Sequence, residues 1–278
     1  MEASSEILME ALWQNYVSKI SYRDLLFSDK VYKDHLAIID LGVGNYNREQ
    51  LRRCFEPYGF YQAGEGYLAD KINDFMWMTH ASNEKQDAKK ALPQVVLADF
   101  RIDLLSAKNR EIIHKYYNAK NNLQALLKHE DVCHYLASRA WPLPSYNEYM
   151  AVYEENPLLA WVLLNGRCVN HFGILINLNQ GFESLTEYCK IMNAKLHLNV
   201  IDGVIKGNKA MGIEQSASMG EPISVALEGG AIVSTKPFVE FVWRYPKEGV
   251  EKPRAWNDYF GGFIAQNANK IIESITAS

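Results

Sequence analysis

HFGILINL, from His171 to Leu178, decides the fold, because a run much like it, HLAIIDL from His35 to Leu41, stands earlier in the chain. Each run is rich in aliphatic residues and is typical of a β-strand. Each begins with a histidine that follows a small polar residue, Asp34 in the first copy and Asn170 in the second. The repetition predicts a duplicated module, although two short strands can also match by coincidence.

The likeness continues into an amphipathic helical pattern after each strand, at Arg48 to Phe55 and at Gly181 to Met192. β-prone residues follow both helices. Two modules of this kind, about 31–105 and 166–246, would face each other and form an open β-barrel with a shared cleft. Helical segments at 1–30, 106–165 and 255–278 would pack around it. The expected fold is therefore α+β, in one compact domain over 1–278.

Other β-rich runs predict the remaining strands: QVVLADFRI (Gln94 to Ile102), ISVALE (Ile223 to Glu228), AIVS (Ala231 to Ser234) and FVEFVWRY (Phe238 to Tyr245). The Gly229-Gly230 pair between two of these runs predicts a tight hairpin. Apolar residues at helical spacing predict packing helices from about Ser5 to Tyr16, Asn109 to Lys128, Ser145 to Leu164 and Asn257 to Ser274.

The composition argues for a small-molecule ligand. The 278 residues carry a net charge of −4, which gives no basic field to recruit nucleic acid or an anionic membrane. No run approaches the ~18 consecutive apolar residues of a membrane span. The four cysteines are scattered and form no CxxC pair, which favours a reduced, cytoplasmic setting.

Three side chains are candidate metal ligands. Side chains alternate across a strand, so His35 and His171 each point to one face of their strands. Glu240 lies between Val239 and Phe241, where an unpaired carboxylate would be costly to bury. Two histidines and one carboxylate that converge in a cleft leave open coordination positions, as in non-haem Fe(II) oxygenases.

Each candidate also has an ordinary structural interpretation. A histidine that begins a strand is often only a hydrogen-bonded core or surface residue. Glu240 could pair with Arg244 or Arg254 instead of a metal. Asp99 lies in the first module roughly where Glu240 lies in the second, and a surface or structural role for it is favoured over that of a vestigial or outer ligand.

Several stretches of the chain resemble the family of 2-oxoadipate dioxygenase/decarboxylases, also called hydroxyglutarate synthases, whose fold belongs with the vicinal-oxygen-chelate proteins. The longest stretch runs from Trp141 to Asn177 and contains NHFGILIN. The others are DHLAI, LPQVVLADFRI, EQSAS, FVEFVWRY and the closing GGFIAQNANKIIESI. The resemblance implies a vicinal-oxygen-chelate-like open barrel built from the two modules.

The resemblance also implies a site and a reaction. Fe(II), or another divalent metal, would be held by His35, His171 and Glu240. A 2-oxo acid would chelate the metal while dioxygen takes an open position. Decarboxylation followed by hydroxylation of the same molecule would give a 2-hydroxy acid and carbon dioxide, with the metal performing the difficult step.

The chain departs from the family at Ile39, where members usually carry an arginine for the distal carboxylate of the substrate. Either the substrate is a less anionic oxo acid, or Arg244 serves that carboxylate from the strand of Glu240. In the EQSAS segment, Gln215, Ser216 and Ser218 are candidate polar contacts to the substrate.

Two rival functions keep the fold. A glyoxalase-like isomerase, epimerase or lyase would use the metal to polarise an enediolate and consume no oxygen. A relative without the arginine could also bind a metal or a metabolite with no catalysis. Oxygen uptake and turnover distinguish these hypotheses. The oligomeric state is not predicted by any feature of the sequence.

Overall fold

A computed structural model of the chain describes residues 5–26, 31–117, 129–137, 139–179 and 181–276. Within these ranges the strands are β1 Lys33–Ile39, β2 Phe60–Leu68, β3 Asn73–His80, β4 Gln94–Phe100, β5 His171–Leu175, β6 Lys206–Asn208, β7 Ile213–Ala217, β8 Pro222–Leu227, β9 Gly230–Thr235 and β10 Phe238–Arg244. The helices are α1 Ser5–Val17, α2 Arg23–Leu26, α3 Arg48–Phe55, α4 Ala107–Tyr116, α5 His129–Ala137, α6 Tyr146–Glu155, α7 Pro157–Asn165, α8 Leu185–Met192 and α9 Ala265–Ile271.

Eight strands form one mixed sheet in the order β2-β3-β4-β1-β5-β10-β7-β6. β1 and β5 pair antiparallel at its centre, β1 pairs parallel with β4, and β5 pairs parallel with β10. The outer pairs are antiparallel on both sides. The strand order is therefore the same when counted outward from either side of the centre, which confirms the predicted α+β fold with two related modules.

The second module carries one addition, the hairpin of β8 and β9, which forms a separate two-stranded sheet. Gly229, at its turn, has a φ of +88°, a conformation that glycine adopts without steric cost. This hairpin is the one that the Gly229-Gly230 pair predicts.

Alternation along the central strands separates two cores. One face of the sheet packs Leu36, Phe172 and Phe241 against α1, α3 and α8. The ring of Trp13 from α1 contacts that of Phe172 edge to face, with centroids 5.0 Å apart. The other face carries both predicted histidines and is covered by α6, α7 and α9.

Some predicted boundaries were wrong. The single helix expected from Ser145 to Leu164 breaks into α6 and α7 at Asn156, which caps α7. Pro157 cannot donate the backbone hydrogen bond of a continuous helix. The closing helix begins at Ala265 rather than near Asn257, because the chain first passes Gly261 and Gly262. The far end of the helix predicted from Asn109 to Lys128 lies outside the described residues.

Candidate metal centre

The register of the central strands brings the three predicted ligands together. His35 on β1 and Glu240 on β10 both lie opposite Gly173 of β5. A Cβ atom on Gly173 would stand 2.5 Å from the imidazole of His35, so glycine is the residue that leaves room for this ring. His171 begins the same strand as Gly173 and faces the same side.

The ligand atoms of His35, His171 and Glu240 all lie within 4.8 Å of one another, as in a metal site. The two Nε2 atoms are 3.2 Å apart. Oε2 of Glu240 lies 3.4 Å from Nε2 of His35 and 3.3 Å from Nε2 of His171. All three residues are buried, with at most 6% of their surface exposed. The structure therefore brings the predicted set to one point.

Each histidine is oriented by the residue that precedes it. Oδ2 of Asp34 lies 2.8 Å from Nδ1 of His35, and Oδ1 of Asn170 lies 2.5 Å from Nδ1 of His171. Oxygen acceptors at Nδ1 leave both Nε2 atoms free to bind a metal, which is how metal-bound histidines are usually held. The polar residue before each histidine, part of the repeat in sequence, thus has a matched structural role.

The carboxylate of Glu240 is held from its other oxygen. Nε2 of Gln215 donates to Oε1 of Glu240 at 2.7 Å, and Nδ2 of Asn267 donates to Oε1 of Gln215 at 3.0 Å. The second contact connects the site to α9. Gln215 therefore orients Oε2 of Glu240 toward the histidines, and its own two polar atoms are both engaged.

Burial and neighbouring charges set the protonation of the two histidines apart. Burial opposes a charge on His35, but the carboxylates of Glu240 and Asp34 outweigh it and raise its pKa to about 9. Burial and the charge of His35 lower the pKa of His171 to about 3. The pKa of Asp34 falls to about 2, because Arg244 and His35 outweigh its burial. The carboxylates of Asp34 and Glu240 on either side of the two histidines therefore favour a positive charge at this place.

One matched position carries no ligand. In the second module, Gly173 of β5 pairs with Glu240 of β10. At the corresponding place in the first module, Ala37 of β1 pairs with Val96 of β4. Val96 is therefore the counterpart of Glu240, and it lines the cavity beside the site. Three of the four matched positions hold donor groups and the fourth is apolar, so the set has an open side.

A cavity of about 60 Å³ lies on this open side. Asn170 lines it and is fully buried, and its Nδ2 has no hydrogen-bond partner among the described residues. Buried donors are rarely left without an acceptor. Sequence analysis missed this role of Asn170, because alternation gave only the orientation of the histidine beside it.

Arg244, predicted as a contact to a substrate carboxylate, is engaged elsewhere. Its Nε and Nη2 donate to both oxygens of Asp34 at 2.5 and 2.9 Å, and Nη2 also reaches Gln94 at 3.2 Å. Its Nη1 donates to two backbone oxygens, those of Phe260 and Gly262. The side chain is fully buried and uses all five N–H groups, so it holds Asp34 and leaves no donor for a ligand.

Ser218, a second predicted contact, faces away from the metal ligands. Its Oγ accepts the N–H of Val239 at 3.2 Å and lies 3.0 Å from the hydroxyl of Tyr22. It lines a different cavity of about 810 Å³. The prediction rested on the EQSAS segment as a whole, whereas Ser218 lies an odd number of residues after Gln215 and so falls on the opposite side of the sheet. Ser216 also alternates away from the face that carries Gln215.

Asp99 has the structural role that sequence analysis favoured. It accepts from the backbone N–H and the guanidinium of Arg48, at 3.0 and 2.8 Å. It lies three residues beyond Val96, the true counterpart of Glu240. The fourth predicted contact, Ile39, lines the cavity beside the ligands.

The sequence also matches known proteins. Residues 13–244 match the family model for 2-oxoadipate dioxygenase/decarboxylase. A chloroplastic 2-oxoadipate dioxygenase/decarboxylase of Arabidopsis thaliana is 25% identical over 256 residues, which are 87% of this chain and 67% of the relative. Its counterpart from Oryza sativa subsp. japonica is 24% identical, over 88% of this chain and 70% of the relative.

Solved structures show the same fold. Hydroxyglutarate synthase from Oryza sativa, crystallised with 2-oxoadipate, superposes with a TM-score of 0.84 at 20% identity, over 98% of this chain and 91% of that one. A putative glyoxalase superfamily protein from Ralstonia eutropha superposes with a TM-score of 0.71 at 15% identity, over 93% and 85% of the two chains. The chain belongs to the 2-oxoadipate dioxygenase/decarboxylase family.

Proposed function

We propose that this protein is an Fe(II)-dependent dioxygenase that decarboxylates a 2-oxo acid and hydroxylates the product to a 2-hydroxy acid. The observation that carries the proposal is the buried cluster of His35, His171 and Glu240 beside a cavity, in a chain of this family. Two imidazoles and one carboxylate with an open side suit non-haem Fe(II). When bound, the iron would polarise the oxo acid and activate dioxygen.

The reaction balances as RCH₂COCOOH + O₂ → RCH(OH)COOH + CO₂. The bond between C1 and C2 breaks, and C1 leaves as carbon dioxide. One oxygen atom of dioxygen enters the new carboxyl group, and the other becomes the hydroxyl on the neighbouring carbon. Dioxygen is fully reduced by the substrate itself, so the reaction needs no second reductant.

The protein contributes orientation. Asp34 and Asn170 fix the two imidazoles, and Gln215 fixes the carboxylate of Glu240. We propose that Nδ2 of Asn170, a buried donor with no partner among the described residues, donates to the substrate's carboxylate or oxo group. A buried site held in this way needs little reorganisation during the reaction.

The apolar wall contributes exclusion of water. Val96 lies at the open side, and Phe263 packs edge-on against His35 with ring centroids 4.9 Å apart. A dry cavity strengthens the electrostatic interactions inside it and protects a reactive species from side reactions. The same wall shapes the space for the substrate.

The test is anaerobic loading with Fe(II), followed by addition of oxygen and a panel of 2-oxo acids. We expect oxygen uptake and carbon dioxide release in equal amounts, with ¹⁸O from dioxygen in the 2-hydroxy acid. Conversion of an oxo acid without oxygen uptake would instead favour a glyoxalase-like isomerase or lyase. Metal binding with no turnover on any acid would favour a non-catalytic binding protein.

A cytoplasmic location stays a prediction. Among the described residues no disulfide joins any of the four cysteines, which supports a reducing compartment, whereas the two plant relatives are named as plastid proteins. Among the described residues, none of the helices has the length and apolar character needed to cross a membrane.

A further inference from the structure

The cavity has a polar end and an apolar end. At the polar end lie the three metal ligands and the amide of Asn170. Away from them, the cavity walls are formed by hydrocarbon side chains from both the sheet and the closing segment: Ile39, Leu68, Phe75, Val96, Ala98, Phe263, Ile271 and Ile272. A 2-oxo acid whose head binds at the polar end must direct its tail toward this wall.

The apolar end offers no cation. None of the described residues that line the cavity is a lysine or an arginine. Nearby in sequence, Lys71 contacts Glu273, and Arg48 binds Asp99. The polar side chain on this wall, Asn73, gives its Nδ2 to the carbonyl of Asp99 at 3.0 Å.

The charges of the site balance for a singly charged acid. Arg244 and Asp34 form a fully buried ion pair and cancel each other. A divalent metal then faces one negative charge from Glu240, and the carboxylate of a 2-oxo monocarboxylic acid supplies the second. A dicarboxylate would add one more negative charge, and an isolated charge in an apolar cavity is strongly disfavoured.

The wall away from the metal ligands offers that charge no compensating group. Its side chains are hydrocarbon apart from Asn73, whose Nδ2 already donates to a backbone carbonyl. A distal carboxylate packed against Ile39 would have to lose its hydration without gaining an ion pair. A methyl group in the same place would lose only contact with water, which is favourable.

We propose that the substrate is a 2-oxo monocarboxylic acid with an apolar tail, and that Ile39 selects it over a 2-oxo dicarboxylic acid. The inference rests on the proposed function and names its substrate class. For 2-oxohexanoate, the reaction gives 2-hydroxypentanoate and carbon dioxide from one molecule of dioxygen, with the bonding changes described above.

The deciding experiment compares 2-oxohexanoate with 2-oxoadipate, which has the same chain length and a carboxylate in place of the terminal methyl group. Binding to the Fe(II)-loaded protein is measured by calorimetry without oxygen, and kcat/KM is then measured with oxygen. We expect 2-oxohexanoate to be favoured by at least about 100-fold, because an apolar pocket strongly rejects an unpaired charge. Equal or tighter binding of 2-oxoadipate would overturn the inference.

The variant Ile39→Arg tests the residue directly. We expect it to shift the ratio of affinities toward 2-oxoadipate by at least about tenfold, since the guanidinium can form a charge-assisted hydrogen bond with the distal carboxylate. Ile39→Leu is the matched control and should keep the preference of the unmodified protein. If Ile39→Arg does not fold, the comparison of the two acids on the unmodified protein still decides the inference.

The two proposals fail differently. Selective binding of 2-oxohexanoate without oxygen-dependent release of carbon dioxide would refute the dioxygenase and leave the substrate class standing. Efficient turnover of 2-oxoadipate over 2-oxohexanoate would do the reverse. If neither acid binds the metal-loaded protein, the inferred substrate class is wrong, and the dioxygenase proposal is then decided by the other 2-oxo acids of the panel.

Discussion

The two halves of the sheet share one strand order and contribute unequally to the candidate metal centre. The half built from β1 to β4 supplies His35, whereas the half that contains β5 and β10 supplies His171 and Glu240. Where the second half has Glu240, the first has Val96. A repeated scaffold thus offers matched positions, and the open side of the site comes from the position at which the match is broken.

A second difference lies behind the histidines. Asp34 is charged and fixed by Arg244, whereas Asn170 is neutral and keeps one donor free. Correspondingly, the pKa of His35 is raised and that of His171 is lowered, although burial acts in the same direction on both. One half therefore fixes its histidine of the candidate metal centre with a charged side chain. The other faces the neighbouring cavity with a donor that has no partner among the described residues.

The largest effect on metal binding is expected from His171→Ala, which removes a proposed ligand from the half that would supply two. We expect metal affinity to fall by more than about 100-fold, with the circular dichroism spectrum unchanged. Mutation of a residue that only orients a metal ligand typically lowers metal affinity by ~10–100-fold, and loss of the ligand itself should lower it further. Metal content after purification measures this, and His197→Ala, at an exposed histidine, is the control. Full metal content in His171→Ala would remove His171 from the site.

Val96→Glu tests the difference between the two halves by placing a carboxylate at the position of the first half that corresponds to Glu240. The new side chain would occupy the open side, so we expect metal to be retained and kcat/KM to fall at least about 100-fold, equal to about 2.7 kcal/mol of barrier. Val96→Gln is the matched control, because glutamine has the shape of glutamate without its charge. Comparing the two variants separates metal binding by the new carboxylate from steric blocking of the open side. Normal turnover in Val96→Glu would show that substrate and oxygen approach from another side.

Much of the site could be predicted because the ligands lie on strands. Alternation with a period of two fixes which face a residue occupies, and the repeat relates His35 to His171. The strand face of each residue and the correspondence of the two histidines could both be predicted from short stretches of sequence. Glu240 was predicted as the carboxylate of the site because it lies between Val239 and Phe241, where burying an unpaired charge is unfavourable.

The rest depended on packing between distant segments. Arg244 shares a face with Glu240, as predicted. Its partners lie far apart in sequence and together occupy every donor of its guanidinium: Asp34, Gln94, Phe260 and Gly262. Strands β2 and β3 lack a strong apolar alternation, and they are held in the sheet by the pairing of β3 with β4 and of β2 with β3. Such tertiary effects override local preference.

Asp34→Asn tests the difference between the two residues behind the histidines, of which Asp34 is charged and Asn170 is neutral. It removes the partner of a buried guanidinium, which typically costs about 3–5 kcal/mol of folding free energy, and it weakens metal binding by about 10–100-fold. Denaturant unfolding and metal titration measure the two effects. In the double variant with Arg244→Met, the loss of stability should be smaller than the sum of the single losses, and additive losses would contradict the ion pair.

The smallest expected effect concerns the ends of the two central histidine strands. Asp40, which follows β1, is fully buried, whereas its counterpart after β5 is the apolar Ile176. A carboxyl oxygen of Asp40 lies 3.6 Å from Nη1 of Arg167, whose guanidinium stacks 3.7 Å from the ring centre of Tyr135. Burial raises the pKa of Asp40 to about 6, even though Arg167 favours its charged form.

The sign of the pH effect follows from this raised pKa. The folded protein holds a proton on Asp40 more tightly than the unfolded chain, whose value is near 3.9. The resulting stabilisation is present below about pH 4 and is lost as pH rises through about 6. The free energy of unfolding of metal-free protein, relative to Asp40→Asn, should therefore decrease by about 2–3 kcal/mol between pH 4 and pH 7.

Urea unfolding at several pH values measures this difference, with Asp103→Asn as an exposed control that should show much less of it. A difference that increases with pH would mean that Arg167 outweighs the cost of burial, and that the first half of the sheet is held by a net favourable ion pair. A flat difference would mean that the pKa of Asp40 is the same in the folded protein and the unfolded chain, so that Arg167 just offsets the cost of burial. In that case the asymmetry between the halves would be confined to the metal centre, where ligands and substrate require it.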